Sequence, residues 1–169
     1  DCHSAYGKLD REYENLSFTA CWSHARRRYS DALKALPKGK KDAAKGTVAY
    51  EALTRIAAIY HLDNELSELD PRERQEKRKL MIKPLVDAYF AWLKVQQTKS
   101  NSSTKLKEAV NYSVNQEQYL RCFLQDSQLP LDNNDAERSI KAFCVGKHSW
   151  HIIDSIKNEK ILKGTLLIL

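Results

Sequence analysis

The stretch VAYEALTRIAAIYHLDNELSEL, residues 48–69, repeats apolar side chains at Val48, Ala52, Ile56, Ile59, Leu62, Leu66 and Leu69. That spacing puts them on one face and predicts a long amphipathic helix over Val48–Leu69. The residues that follow, LDPRER, restart a second helix: Asp70 can cap its free N–H groups, and Pro71 takes the first helical position, where a missing N–H costs nothing. This helix is expected to reach Thr98, kinked at Pro84, whose ring breaks the normal intrahelical pattern. After the polar link KSNSS, a third helix is expected from Thr104 to Gln125, with Leu106, Ala109, Val110, Val114, Leu120, Phe123 and Leu124 on its apolar side. The middle of the chain, 42–126, therefore reads as all helical.

Outward from this block the texture changes. LSFTACW, residues 16–22, suits a short buried strand, and Ser23 can cap a helix from His24 to Leu36, closed by Pro37 and Gly39. On the other side LPL, 129–131, reads as a short extended piece. DNNDAERSIK, 132–141, reads as a helix start: Asn133 or Asn134 is the cap, and Asp135 and Glu137 fall in the first turn, where the helix dipole favours negative charge. That helix should end near Phe143, and HSWHII, 148–153, has the aromatic and β-branched content of a strand. Ends that mix strands and helices around a helical middle predict an α/β, mostly helical fold, with a helical block interrupting an α/β core. Tyr50, Tyr60, Tyr89, Phe90 and Trp92 lie on the middle helices, and aromatic residues at helical spacing read as core before they read as stacking platforms for bases.

With 169 residues, 42% hydrophobic and 30% charged, the chain can build one domain with a sizeable insertion. No segment approaches the roughly 20 apolar residues of a membrane span, and no signal peptide is visible, so an intracellular protein is expected. Four scattered cysteines, Cys2, Cys21, Cys122 and Cys144, read as reduced thiols. A start at Asp1 and a single internal methionine, Met81, lead us to expect a piece of a longer polypeptide. Net charge is +6, and residues 24–41 alone carry that excess through Arg26, Arg27, Arg28, Lys34, Lys38, Lys40 and Lys41 against Asp31. Residues 138–169 add a net +4. Two basic segments flanking a less basic middle suit a polyanion such as DNA; a solvated basic helix face is the bland alternative.

The blocks CWSHARRRYSDAL (21–33), YEALTRIAAIYHLDNEL (50–66), RKLMIKPLVDAYFAWL (78–93) and LPLDNNDAERSIKAFCVGKHSW (129–150), in this order and spacing, resemble the C-terminal catalytic part of the IS66 family of bacterial insertion-sequence transposases. The resemblance runs from Asp1 to Lys157. It implies a DDE-type transposase with a ribonuclease-H-like fold, two divalent ions (Mg²⁺ or Mn²⁺), DNA as partner at transposon ends and target, a homo-oligomeric intact enzyme, and a cytoplasmic, nucleoid-associated setting without a membrane. Asp1 falls on the acid of the family's D-x-[YH]-x-x-Y segment, here DCHSAY ending at Tyr6, and would be the second catalytic aspartate. Glu137 in NNDAER would be the closing glutamate, and the two acids would hold the metals, since hard cations prefer carboxylate oxygens. The first aspartate of the triad has no candidate here and is expected upstream of Asp1.

By the same resemblance His24 or Arg27 positions DNA or metal-bound water, and the DNA-contacting set is His24, Arg26, Arg27, Arg28, Arg138, Lys141 and Lys147. The chain is then divided into 1–41, a partial core with the basic helix; 42–126, the helical insertion; 127–157, the core segment with the closing glutamate; and 158–169, an atypical tail whose NEKILKGTLLIL points to truncation or a shifted frame. Each assignment has a plainer counterpart. Glu137 can be only a dipole-stabilising acid, Asp1 an ordinary terminal residue, and Arg138 a solvated cation. Cys21-x-x-His24 with Cys2 and His3 is a weak zinc candidate, because structural zinc sites present two tight ligand pairs. The rival function is a non-catalytic basic helical module that binds nucleic acid, or an inactive transposase remnant.

Overall fold

A computed structural model describes residues 19–36, 42–99, 103–134 and 138. The chain divides into two compact units, 1–132 and 133–169. The first is a helical bundle built from six α-helices among the described residues: α1 Trp22–Lys34, α2 Val48–Glu65, α3 Pro71–Lys77, α4 Lys83–Gln97, α5 Thr104–Asn115 and the single turn α6 Glu117–Leu120. Short 3₁₀ turns at Asp42–Gly46 and Cys122–Leu124 precede α2 and follow α6. In the second unit Asn134 and Arg138 are helical.

Local chemistry sets most of the boundaries. Thr47 caps α2, its Oγ1 accepting from the Tyr50 N–H while donating to the Ala44 carbonyl at 2.7 Å. Asp70 caps α3 by accepting from the N–H groups of Arg72 and Glu73, with Pro71 at the first helical position as its fixed φ allows. Ser103 caps α5 through the Leu106 N–H. Ahead of Pro84, α3 runs into α4 through one π-helical turn, Arg78–Ile82, in which the Lys83 N–H donates to the Arg78 carbonyl five residues back. The wider turn just ahead of the proline accommodates a residue that can neither donate nor sit in a normal ladder.

One core joins these helices except α3, which buries no residue. Trp22, Ala25, Tyr29 and Ala32 make the buried stripe of α1 and pack on α2 and α5. Ile56 and Ile59 of α2, Ile82 from the π turn, Val86, Tyr89, Phe90 and Leu93 of α4, and Leu120 and Phe123 fill the interior. Trp22 is its centre, with ring centroids 5.6 Å from Tyr89, 6.1 Å from Phe90 and 6.1 Å edge-on to Phe123. Tyr29 donates to Ser113 Oγ at 3.0 Å, Ser113 in turn donates to the Ala109 carbonyl, and burial raises the Tyr29 phenol above its ordinary pKa. The core reading holds for Tyr89 and Phe90. Tyr60 and Trp92 are half-buried, and Tyr50 is exposed.

Several expectations need correction. No strand occurs among the described residues. In the piece expected as a strand over 16–22, residues 19–21 have no ladder partner, and Trp22 already belongs to α1. The Ala20 N–H goes to the Tyr119 carbonyl and the Trp22 N–H to the Leu131 carbonyl, a single backbone bond to the 129–131 piece and not a ladder. Helix α1 starts at Trp22, with Cys21 in the cap position and making no side-chain cap bond, so Ser23 is not the cap. Burial of Trp22 outweighs the better capping chemistry one residue later. The helix expected from Thr104 to Gln125 breaks at Gln116, and the one expected over Val48–Leu69 ends at Glu65. The strand expected at 148–153 lies outside the described residues.

At the surface, Arg121 joins α4 to α6: its guanidinium meets Glu117 at 2.8 Å and Asp87 at 2.5 Å, and lies over the Phe90 ring. Hydrogen bonds from Lys83 and Arg121 hold Asp87 below the usual carboxylate range. For Glu117 burial alone would raise the pKa, but hydrogen bonds from Lys94 and Arg121 outweigh it and leave it lowered. Both folded values lie below the unfolded ones, so the stabilisation is complete above the ordinary carboxylate range near about 4 and is lost as pH falls through the lower folded values. Melting temperature should therefore drop below about pH 4, and Arg121→Met should lower it at neutral pH while flattening that drop. Parallel curves for the two proteins would exclude this origin.

Candidate nucleic-acid interface and its anchored acidic segment

The candidate residues divide into those whose geometry is described and those outside it. Asp1, Glu137, Lys141 and Lys147 lie outside the described residues. His24 sits in the first turn of α1, half-buried, its backbone N–H bonded to the Cys21 carbonyl at 3.2 Å. Arg26 and Arg27, two residues further, are exposed and make no hydrogen bond or ion pair with a described residue. Arg28 differs: it is half-buried, with its guanidinium 4.2 Å from the Tyr112 ring centroid on α5. The helical period fits this: residue 28 lies next to the buried stripe on the side of α5, residue 26 lies at the stripe's other edge beside α2, and residue 27 faces away from it. The basic cluster thus supplies two unpaired arginines and one that helps to hold α5.

The segment that opens the acidic stretch is held at Asp132. Its Oδ2 accepts a 2.9 Å hydrogen bond from the Tyr60 hydroxyl on α2, and the preceding Leu131 carbonyl accepts from the Trp22 N–H at 3.0 Å. Burial, then the neighbouring Asp132 charge, push the Tyr60 phenol far above its ordinary pKa, so it remains a donor at any physiological pH.

Behind this segment stands a buried arginine. Arg78, 0% exposed, faces Asp63, 5% exposed, in a two-pronged pair: Nε to Oδ1 at 2.6 Å and Nη2 to Oδ2 at 3.0 Å. Its remaining Nη1 is directed at the backbone carbonyls of Phe123, Asp126, Ser127 and Leu129, at 2.9–3.3 Å. Arg74 adds a second guanidinium to Asp63 at 3.0 Å, and the Gln75 side chain donates to the Leu124 carbonyl at 2.6 Å. A loop without regular structure would otherwise bury unpaired carbonyls; Arg78 satisfies them from one rigid fork. None of this was anticipated from the sequence, yet a signal was present. Asp63 falls on the apolar face of Ile56 and Ile59, and Arg78 on that of Ile82, Val86, Tyr89 and Leu93. Opposite charges at core positions of successive helices are expected to pair, because neither can be buried alone.

Among the described residues no group of three or more His, Cys, Asp and Glu side chains could hold a metal ion. Cys21 and Cys122 are in no disulfide with a described residue, and two residues of the zinc candidate, Cys2 and His3, lie outside the described residues. The two acids assigned to divalent ions, Asp1 and Glu137, also lie outside them. No helix of the described residues is long and apolar enough to cross a membrane.

Comparison with known proteins adds the context. Two uncharacterized proteins of Sinorhizobium fredii (strain NBRC 101917 / NGR234) are similar to the chain. One, y4hP, is 26% identical over 140 residues, which cover 80% of this chain and 25% of the relative. The other, y4jD, is 24% identical over 162 residues, 93% of this chain and 30% of the relative. The chain thus spans less than a third of the length of these curated relatives. No solved structure matches it. The family model described as "Transposase IS66 family" matches residues 1–160. With nearly its whole length matched, the chain belongs to the IS66 transposase family.

Proposed function

We propose that this chain is the C-terminal catalytic part of a DNA transposase that cuts donor DNA at the ends of an insertion sequence and joins the freed 3′-hydroxyl to target DNA. The observation that carries this reading is the family match over residues 1–160. In this reading the segments flanking the helical block belong to a ribonuclease-H-like α/β core, and 42–126 is an insertion into it. Asp1 and Glu137 hold Mg²⁺ or Mn²⁺, which when bound would activate the attacking oxygen and stabilise the leaving one. His24, Arg26, Arg27, Arg138, Lys141 and Lys147 face DNA, and the intact protein acts as a homo-oligomer on paired ends in the bacterial cytoplasm.

The exposed, unpaired Arg26 and Arg27 support the DNA-facing part, and salt dependence tests it. If the basic segment covers about 5 phosphates of a duplex, log affinity should fall with log salt at a slope of about −4 to −5. Reversing both Arg26 and Arg27 to Glu should flatten the slope by about 2. Arg28→Ala should leave it nearly unchanged and instead lower stability, since that guanidinium is spent on Tyr112. An unaltered slope in the Arg26/Arg27 variant would move the DNA surface elsewhere, and no duplex binding by the chain would count against the reading itself.

A further inference from the structure

Between α1 and α2 runs an open groove of about 280 Å³, lined by Arg26, Ser30, Tyr50, Leu53, Thr54 and Ala57. Its composition is unlike that of two other hollows among the described residues. One at the C-terminal end of α4, beside Lys99 and Lys107, has no aromatic lining. Another, beside α6, holds Arg121, already neutralised by Glu117 and Asp87. In the α1–α2 groove the cation is unspent. Arg55, Arg72, Arg74, Arg78 and Arg121 all meet carboxylates and Arg28 covers a ring, whereas Arg26 has no such partner among the described residues. Tyr50 is 38% exposed, and its hydroxyl makes no hydrogen bond with a described residue. Leu53, behind it, is anchored on the core, so the groove has an apolar floor under a polar rim. The arrangement continues along α2. Tyr60, one turn beyond Ala57, lies close enough to feel the Arg26 charge and donates to Asp132.

The geometry points to a site for one unpaired DNA nucleotide in this groove, with its phosphate on Arg26 and its base stacked on the Tyr50 ring. A cation beside an exposed aromatic ring is the minimal device for gripping single-stranded nucleic acid: the guanidinium tracks the backbone, and the ring accepts any base, since every base has a π-face. A duplex cannot offer its stacked bases to that ring. The groove therefore prefers strands whose bases are already unpaired, such as frayed or nicked ends. The site rests on the DNA-transposase reading and adds to it a preference for unpaired substrate.

The test is fluorescence anisotropy of the full chain with a labelled 12-nucleotide single strand and with the matching duplex, over a range of salt concentrations. Tyr50→Ala should weaken single-strand binding by about 5- to 100-fold, with Tyr50→Phe within about twofold of the wild type because it keeps the ring. Neither should alter duplex affinity. Arg26→Ala should reduce the single-strand salt slope by about 0.7, the value of one phosphate. Both positions are at the surface, and unchanged circular dichroism and melting will separate binding loss from unfolding. If the chain binds duplex but Tyr50→Ala and Arg26→Ala leave single-strand affinity and slope untouched, the groove assignment fails while the transposase reading stands. An equal loss on single strand and duplex in Tyr50→Ala would also overturn it, by making the groove a general contact that does not read unpaired bases. Binding to neither DNA form would remove both readings.

Discussion

Replacing Arg78 by Ala should destabilise the bundle by about 3–5 kcal/mol, the cost of breaking a buried ion pair from one side, and lower the melting temperature by about 10 °C or more for a chain of this size. The substitution leaves Asp63 buried with only the partly exposed Arg74 for company, and it strips a donor from the carbonyls of Phe123, Asp126, Ser127 and Leu129. A control separates these two losses. When a buried pair does nothing but pair, exchanging both partners for apolar residues of similar size is often neutral or stabilising. Here the double variant Arg78→Met with Asp63→Leu should remain markedly destabilised, because no apolar side chain can satisfy the carbonyls of the 123–129 loop. Urea unfolding of the single and double variants measures both quantities. A double variant as stable as the wild type would reduce Arg78 to an ordinary ion pair and remove its role as organiser of the loop.

That role explains why the helical block was legible in the sequence and its junctions were not. Helical spacing at 48–69, the Asp70–Pro71 start and the polar link before Thr104 are local signals, and each produced a helix at or within a few residues of the expected place. The misplaced start of α1 sits where a long-range contact overrides local preference. Trp22 begins α1 early because its ring fills the centre of the core and its N–H reaches Leu131, more than a hundred residues away. Periodicity cannot reveal such a partner. The same limit applied to the candidate interface. Charge counting found the Arg26–Arg28 cluster but could not tell the exposed pair from the arginine lying over Tyr112, since that distinction depends on which helix packs beside α1. The link from Tyr60 to Asp132 spans 72 residues and was equally invisible. Asp63 and Arg78 are different: their pattern was readable, as charges at core positions, and a residue-by-residue check of the apolar faces would have found them.

The second large effect is expected at Trp22. Trp22→Ala should cost about 3–5 kcal/mol, the range for deleting a fully buried aromatic side chain, because the indole is 0% exposed and touches Tyr89, Phe90 and Phe123 at once. Part of that cost is polar. The indole Nε1 donates to the Leu120 carbonyl at 2.8 Å, and this bond is lost without opening a large cavity in Trp22→Phe, which should therefore cost about 1–3 kcal/mol for the unpaired carbonyl and the smaller ring. Trp22 and Arg78 grip the same short segment, one through Leu120 and an edge-on contact with Phe123, the other through the Phe123 carbonyl and those beyond it. Once either is gone, the segment is loosened, and the contacts of the other are worth less. The double variant Trp22→Phe with Arg78→Ala should consequently be destabilised by less than the sum of the two single changes, by about 0.5 kcal/mol or more. Strict additivity in a double-mutant cycle would mean that the two residues hold independent parts of the fold, and that the 120–132 segment is not the common element through which the helices of 42–126 fix the position of Asp132.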